Sequence, residues 1–306
     1  MNTVEKILTS RPLAAHSGSL KGLLCQELSE CECEIKEDAL GNLYFTKKFT
    51  EGKKVMLCTH FDVPGVIVTF VDESKIYVGG LGKADVRRLA YTKVVFDGIC
   101  GILVVPEDYS SSTAISDCYV ETYDKSACEK VTAGDKGYFD MPVYCYSENM
   151  YSGFGVPIRA CIATLYKTAK EWFLHDSAEK AKKMGIGSLT VAFLGQSSLN
   201  SRGAFVASNV IQPDEIILIS PFDTKKDTCG ITKDTKAVVK MLDKAFVCDK
   251  ELADSVCQYF EENSVSYKKA VNYDTDPALL ALSRADSTPR CCEIGLPVFS
   301  SDMIFI

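Results

Sequence analysis

Apolar residues recur at helical spacing over Val4–Leu8 and again over Ser19–Leu28, where Ser17 or Ser19 is available as a cap, and this predicts two N-terminal helices. Asp38-Ala39-Leu40-Gly41-Asn42 has turn composition, and Leu43–Thr46 after it reads as a strand. Lys54-Val55-Met56-Leu57-Cys58-Thr59 is a short apolar run with β-branched members, as expected of a buried strand. From about Gly65 to Tyr146 the rhythm changes. Short strands at Val66–Val71, Ile76–Val78, Thr92–Phe96, Cys100–Val105 and Cys118–Thr122 are separated by Gly, Pro, Ser and Asp turns. Helical and strand periods then alternate again, with Ile158–Leu174 and Ala204–Asn209 as helices and Leu189–Leu194 and Ile216–Ile219 as buried strands. Ala237–Phe246 and Glu251–Asn263 add amphipathic stretches, and the charged run Glu179–Lys183 reads as a solvated helix end.

This order of elements predicts an α/β fold, a largely parallel sheet flanked by helices, built from residues 1–65 and 147–306. Residues 66–146 are expected to form an inserted, barrel-like β domain. A length of 306 residues suits about two domains.

Composition narrows the partners. A net charge of −7 with no basic cluster argues against nucleic acid and against an anionic membrane surface. No apolar run is long enough to span a bilayer, and the Met1-Asn2-Thr3-Val4-Glu5 start lacks the apolar segment of a signal peptide, so a cytoplasmic location is expected. Most of the 14 cysteines stand alone in apolar segments, as Cys58, Cys100, Cys161 and Cys257 do, and read as small buried hydrophobes. Cys31-Glu32-Cys33 and Cys291-Cys292 have neither zinc-knuckle nor thioredoxin-type spacing.

The candidate chemistry sits at the end of the Lys54–Thr59 run. His60 and Asp62 fall at positions i and i+2 of an extended segment and so face one side, where an imidazole and a carboxylate suit metal ligation. A hydrogen-bonded pair at a strand end is the alternative. Ser197-Ser198 after a strand faintly suggests a nucleophile elbow, but the Gly-x-Ser-x-Gly frame is absent.

Together these segments resemble the glutamyl aminopeptidase and tetrahedral aminopeptidase family of two-zinc exopeptidases, some of them endoglucanase-like by name. The resemblance is carried, in order, by His16-Ser17-Gly18-Ser19, Asp38-Ala39-Leu40-Gly41-Asn42-Leu43 and Thr59-His60-Phe61-Asp62-Val63-Pro64-Gly65. Gly134-Asp135, Ser201-Arg202-Gly203-Ala204 and Pro213-Asp214 continue it. It implies a zinc-exopeptidase-like fold, with His60 as the first ligand and Asp62 as its supporting aspartate. It also implies carboxylates that this chain lacks. The bridging ligand's segment falls on Tyr151-Ser152-Gly153-Phe154-Gly155, with Glu148 the nearest acid upstream. The base and a ligand fall on Ser197 and Ser198, and a further aspartate falls on Ser220, with Asp223 three residues on. The last histidine corresponds to Asp302, and relatives continue through another strand and helix beyond the position of Ile306. His16 and His175 match no ligand position, and His175 is expected at an exposed helix end.

The resemblance therefore implies a member that has lost its general base and most ligands, a pseudopeptidase acting in binding or assembly. Its expected partners are itself or an active paralogue, through the inserted domain, and peptides. It implies no cofactor, or at most one weakly held zinc or similar ion on His60, Asp302 and Asp223. The alternative reading is a metal-dependent aminopeptidase with that altered ligand set.

Overall fold

A computed structural model describes residues 2–11, 18–123, 125–147, 150–174, 177–224, 230–243, 246–271, 277–300 and 303–305. The strands run β1 (Glu34–Glu37), β2 (Leu43–Lys48), β3 (Lys53–His60), β4 (Gly65–Asp72), β5 (Lys75–Leu81), β6 (Lys93–Phe96), β7 (Ile99–Val104), β8 (Tyr119–Glu121), β9 (Lys136–Phe139), β10 (Tyr144–Ser147), β11 (Met150–Ser152), β12 (Ile186–Leu194), β13 (Glu215–Asp223), β14 (Ala237–Asp243), β15 (Phe246–Val247), β16 (Tyr267–Val271), β17 (Arg290–Ser300) and β18 (Met303–Phe305). The helices are α1 (Thr3–Thr9), α2 (Gly18–Glu27), α3 (Lys125–Cys128), α4 (Val156–Leu174), α5 (Ala178–Lys183), α6 (Arg202–Ile211), α7 (Lys250–Glu262) and α8 (Pro277–Ser283).

The chain separates into two compact units. One comprises residues 1–10, 18–61 and 143–306, and the other residues 11–17 and 62–142. In the first, β12, β3, β13 and β17 lie side by side and parallel. β2 adds antiparallel to β12 and β14 antiparallel to β17. Buried strands need cover on both faces. On one face Phe45, Val191, Phe193 and Ile219 pack with Cys161, Ile162 and Leu165 of α4. On the other, Met56, Cys58, Leu194 and Leu218 pack with Ala204 and Ala207 of α6 and with Leu279 and Leu282 of α8. The second unit is a closed barrel in the order β4-β5-β8-β7-β6-β9. Alternation in its strands sends Val66, Val68, Ile76 and Leu103 inward. Among the described residues no helix is long and apolar enough to cross a membrane.

The amphipathic stretch Ala237–Phe246 is mostly the strand β14, whose Val238 and Val239 have the β-branching that suits a sheet. Two local expectations change. Glu179–Lys183 lies in a short helix of its own, α5, rather than at the end of a longer one. Cys100 is exposed, because alternation along β7 turns it and Ile102 outward while Gly101 and Leu103 face in. His16, Ser17, Glu148, His175 and Asp302 lie outside the described residues.

Most other described thiols are buried, and desolvation holds Cys291, Cys161 and the half-buried Cys33 protonated. It pushes Cys291 up to about 12, Cys33 to about 11 and Cys161 higher still. Unfolded, these groups ionise near 9.0. Above that pH the folded chain binds more protons than the unfolded one, so their contribution to stability is whole below pH 9 and lost as pH rises toward 12. The urea midpoint is accordingly expected to be flat from pH 7 to about 9 and to fall steadily by about pH 11. A midpoint unchanged over that upper interval would refute this.

Candidate functional site

In a parallel α/β sheet, ligands gather at the carboxyl ends of the strands, because backbone ends and loops there leave a crevice. In this chain β3, β12 and β13 bring His60, the segment 195–201 and Ser220 to that edge. Strand register gives their faces. His60 pairs with Leu194, and Thr59 pairs with Ile219, so His60 and Ser220 stand one residue beyond a paired position on neighbouring strands. Ser220 pairs with Gly295, Leu218 with Glu293, and Glu293 with Lys240. Alternation therefore puts His60, Ser220, Glu293 and Lys240 on one face, running across β3, β13, β17 and β14.

The centre of this row is an ion pair. Lys240 Nζ lies 2.5 Å from Glu293 Oε1 and 3.3 Å from Ser220 Oγ, and the Ser220 hydroxyl donates to the same Glu293 oxygen. Lys240 is 4% exposed, Glu293 0% and Ser220 1%, so the three groups sit in the sheet's interior. Lys240 Nζ also stands 5.9 Å from the centre of the Phe222 ring, on the same face. Neither Lys240 nor Glu293 is among the motif residues of the sequence. The signal that could have found them is a lone charge of each sign inside the apolar runs Ala237–Leu242 and Cys291–Leu296.

The loop after β12 is set by a different node. Asn42, fully buried, accepts from the Gly195 amide at 2.8 Å through Oδ1. Its Nδ2 donates to Asp38 Oδ2 at 2.7 Å and to the Gly203 carbonyl at 3.0 Å. Tyr44 closes the set by donating to Asp38 Oδ2 at 2.6 Å. Gly195 and Gly203 are glycines because of close approach. A Cβ on Gly195 would lie 2.7 Å from the Leu40 carbonyl oxygen, and one on Gly203 would meet the Gly195 carbonyl and Asn42 Oδ1. The turn read at Asp38–Asn42 is thus the anchor of the loop that carries Ser197 and Ser198. That loop holds Gln196, Asn200 and Ser201 at φ of 52°, 56° and 53°, a left-handed conformation that costs free energy at residues with a side chain. Ser197 Oγ donates to the Leu194 carbonyl at 2.6 Å, the role of a turn cap.

The remaining candidates are scattered. Ser152 ends β11, and Gly153 follows it before α4. β13 runs unbroken through Ser220 to Asp223, which pairs with Val298, so alternation turns Asp223 to the face opposite Ser220. The division between the two compact units falls between Phe61 and Asp62, and Asp62 is 2% exposed. Among the described residues no three His, Cys, Asp or Glu side chains come together closely enough to hold a metal ion. A pair of divalent cations calls for anionic donors. The Ser220 hydroxyl donating to Glu293 and the ammonium beside it do not fit that requirement.

Comparison with known proteins gives the following. The family profile described as M42 glutamyl aminopeptidase matches residues 41–299. A protein of Acetivibrio thermocellus assigned as an aminopeptidase is 24% identical over 271 residues, spanning 84% of this chain and 77% of that one. An aminopeptidase from the archaeon Desulfurococcus kamchatkensis superposes with a TM-score of 0.85 at 15% identity, over 99% of this chain and 89% of its own. The TET1 peptidase of Pyrococcus horikoshii, described as assembling into a tetrahedron or a large octahedral shell, gives 0.81 at 18% identity over 99% and 93%.

Proposed function

Because the chain belongs to the M42 glutamyl aminopeptidase family and carries serines or glycine where the resemblance puts that family's carboxylates, we propose that it is a non-catalytic member, a pseudopeptidase that works by binding or assembly in the cytoplasm. The observation that carries this reading is the buried ion pair at Ser220. Where a ligand carboxylate is expected, a hydroxyl serves Glu293 beside the Lys240 ammonium. Ser197, at the expected base, caps its own loop. A serine hydroxyl bound to a backbone carbonyl does not take a proton from water, and losing a general base costs about 10²- to 10⁴-fold in rate.

The binding role has two supports. His60, at the carboxyl end of β3, and Ser198, beyond that of the parallel strand β12, are partly exposed, so a peptide could occupy this edge without being cut. Relatives of the same fold form a dodecamer or larger shells, and self-association, or pairing with an active paralogue through the barrel unit, follows by analogy.

Chromatography with light scattering reports assembly, and an aminopeptidase assay in added zinc, cobalt or manganese reports activity. The expected result is an oligomer with no turnover above a His60→Ala control in any metal. Metal-dependent turnover that disappears in His60→Ala would overturn the proposal and favour the altered ligand set of His60, Asp223 and Asp302.

A further inference from the structure

The interior of the sheet holds a full positive charge, the Lys240 ammonium, within hydrogen-bonding reach of Ser220. A buried ion pair is usually no more stabilising than apolar residues of the same size, because desolvation offsets the attraction. Its retention on a face where Leu218, the strand neighbour of Glu293, and Ile216 are apolar calls for a local reason. The row itself supplies one. Glu293 is a carboxylate with no access to solvent, and Ser220 is committed to it as a donor. Such a carboxylate requires a cation. In this chain the cation is covalently attached, 2.5 Å away on the neighbouring strand.

We propose that Lys240 is the resident cation of this site: its ammonium takes the place in the sheet that a divalent metal would otherwise hold, neutralises Glu293, and keeps metal ions out of the row formed by His60, Ser220 and Glu293. The inference rests on the non-catalytic reading above and gives it a physical cause. A divalent ion approaching Ser220 would meet the ammonium at close range in a medium that screens poorly. Exclusion of metal is then built into the fold and does not depend on the lost ligands alone. One further consequence is that the α/β unit owes no stability to metal, unlike a site whose ligands must be neutralised by an ion.

The test is manganese(II) binding, chosen because oxygen donors hold it and thiols do not compete strongly. Equilibrium titration with manganese chloride is run on the full-length wild type, on Lys240→Gln, which keeps a donor for Glu293 without its charge, and on Ser220→Asp, which adds a carboxylate while Lys240 stays. Lys240→Gln is expected to bind manganese about tenfold or more tightly than wild type and to unfold at a higher temperature when manganese is added. Wild type and Ser220→Asp are expected to show neither effect. Equal binding by wild type and Lys240→Gln, or tight binding by Ser220→Asp with Lys240 in place, would overturn the proposal, and the latter holds even if Lys240→Gln does not fold. The outcomes separate from those of the activity assay. Manganese binding by wild type without turnover defeats this inference alone, whereas turnover without metal defeats the non-catalytic reading alone.

Discussion

Lys240→Met is expected to destabilise the α/β unit by about 3–5 kcal/mol, and Lys240→Met combined with Glu293→Leu to recover most of that loss. The single change removes the ammonium and leaves the Glu293 carboxylate fully buried, still accepting from the Ser220 hydroxyl but without the Lys240 charge. Methionine fills most of the lysine's volume, so a cavity contributes little. The cost is that of a buried charge whose counter-ion is gone. Removing both charges takes away the desolvation cost as well as the attraction, and such replacements are commonly neutral or stabilising by about 1–4 kcal/mol. The measurement is urea denaturation followed by the fluorescence of Trp172, the single tryptophan, which packs edge-on to Phe49 within the α/β unit. A double variant no more stable than Lys240→Met would show that packing, not charge, sets the cost. A single variant within about 1 kcal/mol of wild type would show that the pair is solvated in a way its burial denies.

This pair also marks the limit of what the sequence discloses. The parallel sheet and the barrel were legible because each has its own period, a near-continuous apolar run for β12 and β13 and short alternating segments for β4 to β9. The strand β14 was less so. Lys240 interrupts its apolar run, and an interrupted run of that length fits a helix face as well as a strand. The strand β17 was obscured by Gly295 and Pro297, which punctuate its sequence although a parallel partner accommodates both. In the site, His60, Ser197 and Ser220 could be singled out because family motifs fix their frame. Lys240 and Glu293 could not, since they lie on strands that motif order does not align and meet across 53 residues of chain. Register joins them, and register is a property of the folded sheet. Asp223 shows the converse. Three residues from Ser220 it looks like a substitute, but an odd step along an unbroken strand puts it on the other face.

Asn42→Ala is expected to cost about 3 kcal/mol or more and to loosen the loop at 195–201 before the sheet itself unfolds. The Asn42 side chain accepts from the Gly195 amide and, with the two hydrogens of Nδ2, reaches the Gly203 carbonyl on one side and Asp38 Oδ2 and the Tyr44 hydroxyl on the other. Alanine leaves the Gly195 amide and the Gly203 carbonyl without that partner, and an unsatisfied buried group costs about 1–3 kcal/mol. The local consequence follows from the left-handed residues at Gln196, Asn200 and Ser201, which persist because the surroundings hold them. Hydrogen exchange at the Gly195 amide should therefore accelerate in Asn42→Ala far more than exchange within β12, whose ladder to β3 is unchanged. Equal acceleration at both would mean that the turn stabilises the sheet as a whole and does not specifically seat the loop. Gly203→Ala tests the same node from the other side, because its methyl group forces apart the Gly195 carbonyl and Asn42 without deleting a hydrogen-bonding group. Overpacking of that kind costs about 1–3 kcal/mol. The double variant Asn42→Ala with Gly203→Ala should then lose less than the two single losses added together, because alanine at 42 removes one of the two groups the new methyl meets, while the contact with the Gly195 carbonyl stays.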